Sequence, residues 1–242
     1  MNLSWGPPLG GPIRLKPDPT SDETMRSAAI GESIAIPVDQ GQIEADLRVP
    51  EQAAGLVMFA HGSGSSRFST RNRIVAEFLE ANGLGTLLLD LLTREEEAID
   101  VRTREYRFDI DRLARRVVLA TDWAQDRKDL QSLPIGYFGA STGAAAALVA
   151  AAERPHIVRA VVSRGGRPDL AEGWLQKVLA PTLLIVGADD EPVIGMNRDA
   201  IRKMATTVEL TIVPGATHLF EEPGALEQVM QLSTAWFRRY LN

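Results

Sequence analysis

Between residues 55 and 213, six short apolar runs recur at intervals long enough to hold a helix: GLVMFA (55–60), 84–91, LPIGYF (133–138), IVRAVVS (157–163), PTLLIV (181–186) and VELTIV (208–213). Continuous apolar runs of this length suit strands buried on both faces. The stretches between them carry helical periods at 72–80, which Asn82-Gly83 ends, at 108–126, at 144–152, near 169–178 and near 196–205, with a last helix over about 225–240. In the second of these, Ile110, Leu113, Val117 and Val118 recur at helical spacing, followed by Ala120 or Trp123. The segment 93–107 is charged and aperiodic and reads as loop. Strands that alternate with helices predict a mainly parallel, doubly wound α/β sheet covered on both faces, with right-handed crossovers. Two further runs, 33–37 and 42–49, flank Asp39-Gln40-Gly41 and predict a hairpin at one edge, for about eight strands in all. In such sheets ligands bind beyond the carboxyl ends of the strands.

Residues 1–30, with WGPPLGGP and KPDPT, show neither period and read as a flexible Pro/Gly-rich extension. The rest, 31–242, has the length of one domain. A hydrophobic share of 45% and a charged share of 24% fit a soluble globular chain. No apolar run reaches the roughly 18 residues that cross a bilayer, and no secretory leader is apparent, so a cytoplasmic location is expected. A net charge of −6 without any basic stripe argues against nucleic-acid or membrane partners. The lack of cysteine removes disulfides, thiolate metal sites and a cysteine nucleophile. Neither a metal nor an organic cofactor is expected, and the oligomeric state is not specified.

Gly139-Ala140-Ser141-Thr142-Gly143 falls where the run LPIGYF ends and the alanine-rich helix begins. A serine on a tight strand-to-helix turn takes strained backbone angles and exposes its hydroxyl, while flanking glycines give the turn room. Near neutral pH that hydroxyl needs a general base, and the base needs an acid to orient it. Three histidines are available. His156 precedes a strand and so lies at the wrong edge, and His61 reads as structural. His218 follows VELTIV at a carboxyl end. The acid should follow PTLLIV, where Asp189, Asp190 and Glu191 compete.

A strand, Gly-x-Ser-x-Gly, then Gly187-x-x-Asp190-x-x-Val193 after a later strand, then a late histidine, resembles the α/β-hydrolase family. The resemblance covers roughly residues 33–241. It implies Ser141 as nucleophile, His218 as base and Asp190, the fourth residue of its stretch, as orienting acid. It also places an oxyanion-binding loop at His61-Gly62-Ser63-Gly64-Ser65-Ser66, with backbone donors from Thr142 and from Ser63 or Gly64. The chain looks most similar to the small dienelactone-hydrolase-like branch, with little or no cap domain. True dienelactone hydrolases use cysteine where this chain has Ser141, so their substrate is not carried over. HGSGSSR, DLLTREEE and SRGGRPDL also resemble stretches of uncharacterised bacterial hydrolases, some fused to phosphoribosyltransferase domains. No second domain is expected here.

Arg67, Arg94, Arg102, Arg104, Arg164 and Arg167 all follow strands, at the edge that carries Ser141. Arginine forks match carboxylate or phosphate, so these residues could hold an anionic ester, or they could be solvated or paired with nearby acids. Arg164 and Arg167, joined by Gly165-Gly166, are the expected substrate-binding pair. The expected activity is hydrolysis of a carboxylic ester of small or medium acyl group, through an acyl-enzyme. The alternatives are acyl transfer or peptide cleavage on the same residues, or a non-catalytic binding protein of this fold.

Overall fold

The computed structural model describes residues 30–242. The expected extension over residues 1–30 lies, but for its last residue, outside the described residues. The first hairpin, β1 (Ile30–Pro37) and β2 (Gln42–Val49), pairs antiparallel and caps one edge of an eight-stranded sheet. The remaining strands are β3 (Leu56–Ala60), β4 (Gly85–Leu89), β5 (Ile135–Ala140), β6 (Val158–Arg164), β7 (Thr182–Gly187) and β8 (Val208–Val213). Their spatial order is β1-β2-β4-β3-β5-β6-β7-β8, and every neighbouring pair from β4 to β8 is parallel. The α/β sheet expected from the apolar runs is therefore present, with β5 near its centre.

Side chains alternate across the sheet, so each buried strand feeds two cores. From β3, Met58 and Ala60 join Tyr137 and the small residues of α4 (Thr142–Glu153) on one face, with α3 (Ile110–Asp126) packed alongside. Val57 and Phe59 join Phe138 on the other face, against α1 (Thr70–Ala81) and α6 (Ala225–Leu241). Phe59 and Phe138 meet there with ring centroids 4.9 Å apart. Alanines fill most of α4, which lets that helix sit close beneath β3, β5 and β6 and fixes its first residue against the end of β5.

Three local expectations are corrected. The charged segment after β4 is a helix, α2 (Arg94–Thr103), and not a loop. Thr93 and Glu96 close a capping box at its start, and Glu95, Glu96 and Glu97 complement the positive helix end. Only Asp100 is buried along α2, so no apolar stripe announces it. The helix after β7, α5, runs over Glu191–Ile201, about five residues earlier than its apolar pattern suggests. Pro192 starts it, as proline can in a first turn. The segment Pro168–Lys177 is 3-10 in character and kinked at Ala171. No helix of the described residues is long and apolar enough to cross a membrane.

Candidate active site

Ser141 closes the turn between β5 and α4 with φ 52° and ψ −120°, a left-handed conformation that a residue with a Cβ adopts only when its surroundings impose it. Three backbone hydrogen bonds do so: Ser141 N–H donates to the Arg164 carbonyl at 3.1 Å, and the Ser141 carbonyl accepts from Ala144 and Arg167, each at 3.1 Å. The two glycines of the pentapeptide are set by space. A Cβ on Gly139 would lie 2.4 Å from the Ala144 Cα, and one on Gly143 would lie 2.2 Å from the Ala60 carbonyl oxygen. Neither position accepts a side chain without separating helix from strand.

His218 follows β8 and Asp190 follows β7, so adjacent parallel strands deliver both to the edge where Ser141 stands. His218 Nδ1 lies 2.6 Å from Asp190 Oδ2, and its Nε2 lies 3.3 Å from Ser141 Oγ. A carboxylate only accepts, so Nδ1 carries the hydrogen and Nε2 turns its lone pair toward the serine hydroxyl. Asp190, at the amino end of α5, makes this contact; Asp189 is exposed.

The loop after β3 passes over the serine. A Cβ on Gly62 would lie 3.1 Å from Ser141 Cβ. Ser63 lines the same cavity as Ser141, and the Thr142 N–H is one of the donors that a helix start leaves free. Gly64, the alternative donor, has φ 69° and does not line that cavity; a Cβ on it would lie 3.2 Å from Arg107 Nη1. Arg107 is in turn held by buried Asp100, through Nε at 2.7 Å. His61 is buried beneath the loop. Its Nδ1 donates to the Gly62 carbonyl at 2.9 Å and its Nε2 accepts the Leu91 N–H at 3.1 Å, so both nitrogens are used in the neutral form. Burial holds its pKa below the ordinary 6.5.

The arginines separate. Arg167 lies with Nε and Nη2 on Asp169, at 2.8 and 2.7 Å, and does not join Arg164. A near neighbour in sequence satisfies its fork. Arg67 pairs with Asp90 and Asp46, and Arg94 with Glu44. Arg164 alone of the expected pair lines the cavity at Ser141, which has a volume of about 230 Å³. Burial, and then the charge of Arg71, lower its pKa to about 10, so it remains cationic at neutral pH.

Ser69, Arg71 and Asn72 also line this cavity, and sequence reasoning missed them. Starting the first helix at Asn72 left them outside the site. The available signal was Ser69, whose Oγ accepts the Asn72 N–H as the cap of α1. Gly165 was also missed as a site residue. At φ 53° it brings bare backbone against His218, where a Cβ would lie 3.4 Å from Nδ1 and Cε1.

The profile of the Dienelactone hydrolase family matches residues 43–241. A crystal structure of a dienelactone hydrolase from Anabaena variabilis is 58% identical, with a TM-score of 0.87 over 89% of this chain and 100% of that one. Est1E from Butyrivibrio proteoclasticus shares the fold, at 17% identity and a TM-score of 0.72, over 86% of this chain and 98% of that one. A Mycobacterium tuberculosis protein provisionally named a phosphoribosyl transferase is 54% identical over 224 residues, 93% of this chain and 49% of its own length. The chain thus spans about half the length of the curated relatives it matches. With its eight-stranded, mostly parallel sheet and the match over 43–241, the chain belongs to the dienelactone hydrolase family.

Proposed function

We propose that the protein is a serine hydrolase that cleaves carboxylic esters of small or medium acyl group. One observation carries the reading: the unbroken line from Asp190 Oδ2 through the His218 ring to Ser141 Oγ, built on a strained turn. Ser141 Oγ attacks the ester carbonyl as His218 Nε2 takes its proton. Asp190 keeps the imidazole in the tautomer that can accept it. The negative charge on the former carbonyl oxygen is met by backbone donors at Thr142 and at the Gly62-Ser63 stretch, worth about 3 kcal/mol each in comparable sites.

His218 then returns the proton to the leaving alcohol, and an acyl-Ser141 ester remains. Water activated by the same nitrogen releases the acid. A cavity of about 230 Å³ supports a small or medium acyl group. The name carried by the mycobacterial relatives does not alter this proposal, because about half of their length has no counterpart in this chain. A panel of 4-nitrophenyl esters of increasing acyl length tests it. Turnover should peak at short or medium chains and vanish in Ser141→Ala; a flat response, equal in that variant, would overturn the proposal.

A further inference from the structure

The cavity beside Ser141 contains a charge that no described residue neutralises. Arg164 is 7% exposed, its Nε is buried without a hydrogen-bond partner, and the neighbouring charge it feels is another cation, Arg71. The contrast within the same protein is direct. Arg116, buried to a similar degree and likewise with an unpartnered Nε, has its charge met by Glu96, which its Nη2 reaches at 2.9 Å. Stranding a guanidinium away from water is costly unless something pairs with it. Arg71 donates through Nη1 to the rim residue Glu221 at 2.7 Å, while its Nε is also buried without a partner. No carboxylate lines the cavity.

The other lining groups favour the same kind of ligand. The amino end of α1 reaches the cavity at Ser69, Arg71 and Asn72, and its first turn holds no acidic residue that would offset the helix dipole. Free N–H groups at a helix start, hydroxyls on Ser63, Ser65 and Ser69, and a guanidinium make a donor set spread over several directions. A planar carboxylate is satisfied by one fork. A tetrahedral group with three terminal oxygens and nearly two negative charges uses donors from separate elements and can lie between two cations.

We propose that the ester presented to Ser141 carries a phosphate monoester, seated between Arg164, Arg71 and the amino end of α1. This inference rests on the hydrolase reading for the ester and on the cavity alone for the phosphate. Arg164 and Arg71 are then specificity-determining residues: they fix the distance between phosphate and carbonyl and hold the carbonyl at Ser141 Oγ.

The test separates the two claims. Binding of inorganic phosphate is measured by calorimetry on the full chain with Ser141→Ala, in which turnover plays no part. One site should be found, weakened at least about tenfold by adding Arg164→Gln or Arg71→Gln and less by Arg164→Lys. Thermal unfolding of each variant reports whether it folds, and Arg71, nearer the rim, gives a second probe if Arg164→Gln does not. Hydrolysis is then compared for 4-nitrophenyl valerate, glutarate and 4-phosphonooxybutyrate. The phosphorylated ester should have a kcat/KM at least about tenfold above both others, and Arg164→Gln should remove that advantage. A preference for glutarate would assign the cavity to carboxylates and overturn the phosphate assignment. Equal rates for all three, or no phosphate binding, would overturn the anion site while leaving the hydrolase reading intact. Phosphate binding by a chain that cleaves no ester would sink the hydrolase reading alone.

Discussion

Gly165 forms the wall against which His218 rests: a Cβ there would stand 3.1 Å from the His218 carbonyl oxygen and 3.4 Å from ring atoms Nδ1 and Cε1. Its φ of 53° is a conformation that alanine resists. The loop after β6 therefore sets where the imidazole sits, although Gly165 bears no chemistry.

Gly165→Ala should consequently lower kcat by about tenfold to a hundredfold, because small displacements of a proton-transfer group are expensive. KM for a short neutral ester should change little. Steady-state kinetics on 4-nitrophenyl acetate separates these parameters; an unchanged kcat would show that His218 is positioned by other contacts.

Asp190→Asn should reduce kcat by about 10⁴, since an amide that donates toward Nδ1 stabilises the unproductive tautomer. Asp189→Asn, one residue away and exposed, should stay within about threefold of the parent. Equal losses in the two variants would contradict the assignment of the 2.6 Å contact as the orienting one.

His61 makes stability depend on pH. Burial holds its folded pKa below the 6.5 of a free histidine, so below about pH 6.5 the unfolded chain binds a proton that the folded chain refuses. The stability that neutral His61 contributes is present above pH 6.5 and is lost as pH falls toward the lower, folded pKa. Urea unfolding between about pH 7.5 and 5.5 should show a steeper loss for the parent than for His61→Gln. Parallel curves would mean that His61 titrates normally.

Phe237 on α6 fills the space that Gly136 of β5 leaves open; a Cβ on that glycine would lie 2.8 Å from the Phe237 ring. Removing a fully buried phenyl group creates a cavity that β5 cannot close. Phe237→Ala should cost about 3 to 5 kcal/mol in denaturant unfolding. A loss under about 1 kcal/mol would show that α6 repacks freely against the sheet.

The central strands were legible because they are buried on both faces and must read as apolar runs, as GLVMFA and PTLLIV do, whereas β8 at the edge is only partly buried. Helix α2 was hidden for the opposite reason: its contacts are charged, and its start rests on the Thr93–Glu96 box. Ser141 and His218 could be singled out because each stands just past the carboxyl end of a strand, whereas Asp190 was told from its neighbours Asp189 and Glu191 only by the family resemblance. What sequence could not supply was the pairing of side chains. Arg164 and Arg167 look equivalent in SRGGRPDL, yet Asp169 takes one and nothing described takes the other. Whether a charge is neutralised depends on neighbours brought together by folding, and Arg71, the cation nearest in effect to Arg164, lies on a different element.

The central claim is that Ser141 is a nucleophile activated by His218. Its most direct measurement is covalent labelling by a fluorophosphonate, followed by peptide mass spectrometry to locate the adduct. The account predicts one adduct, on Ser141, formed rapidly by the parent, absent from Ser141→Ala and strongly slowed in His218→Ala. No adduct on Ser141, or equal labelling of the parent and His218→Ala, would contradict it.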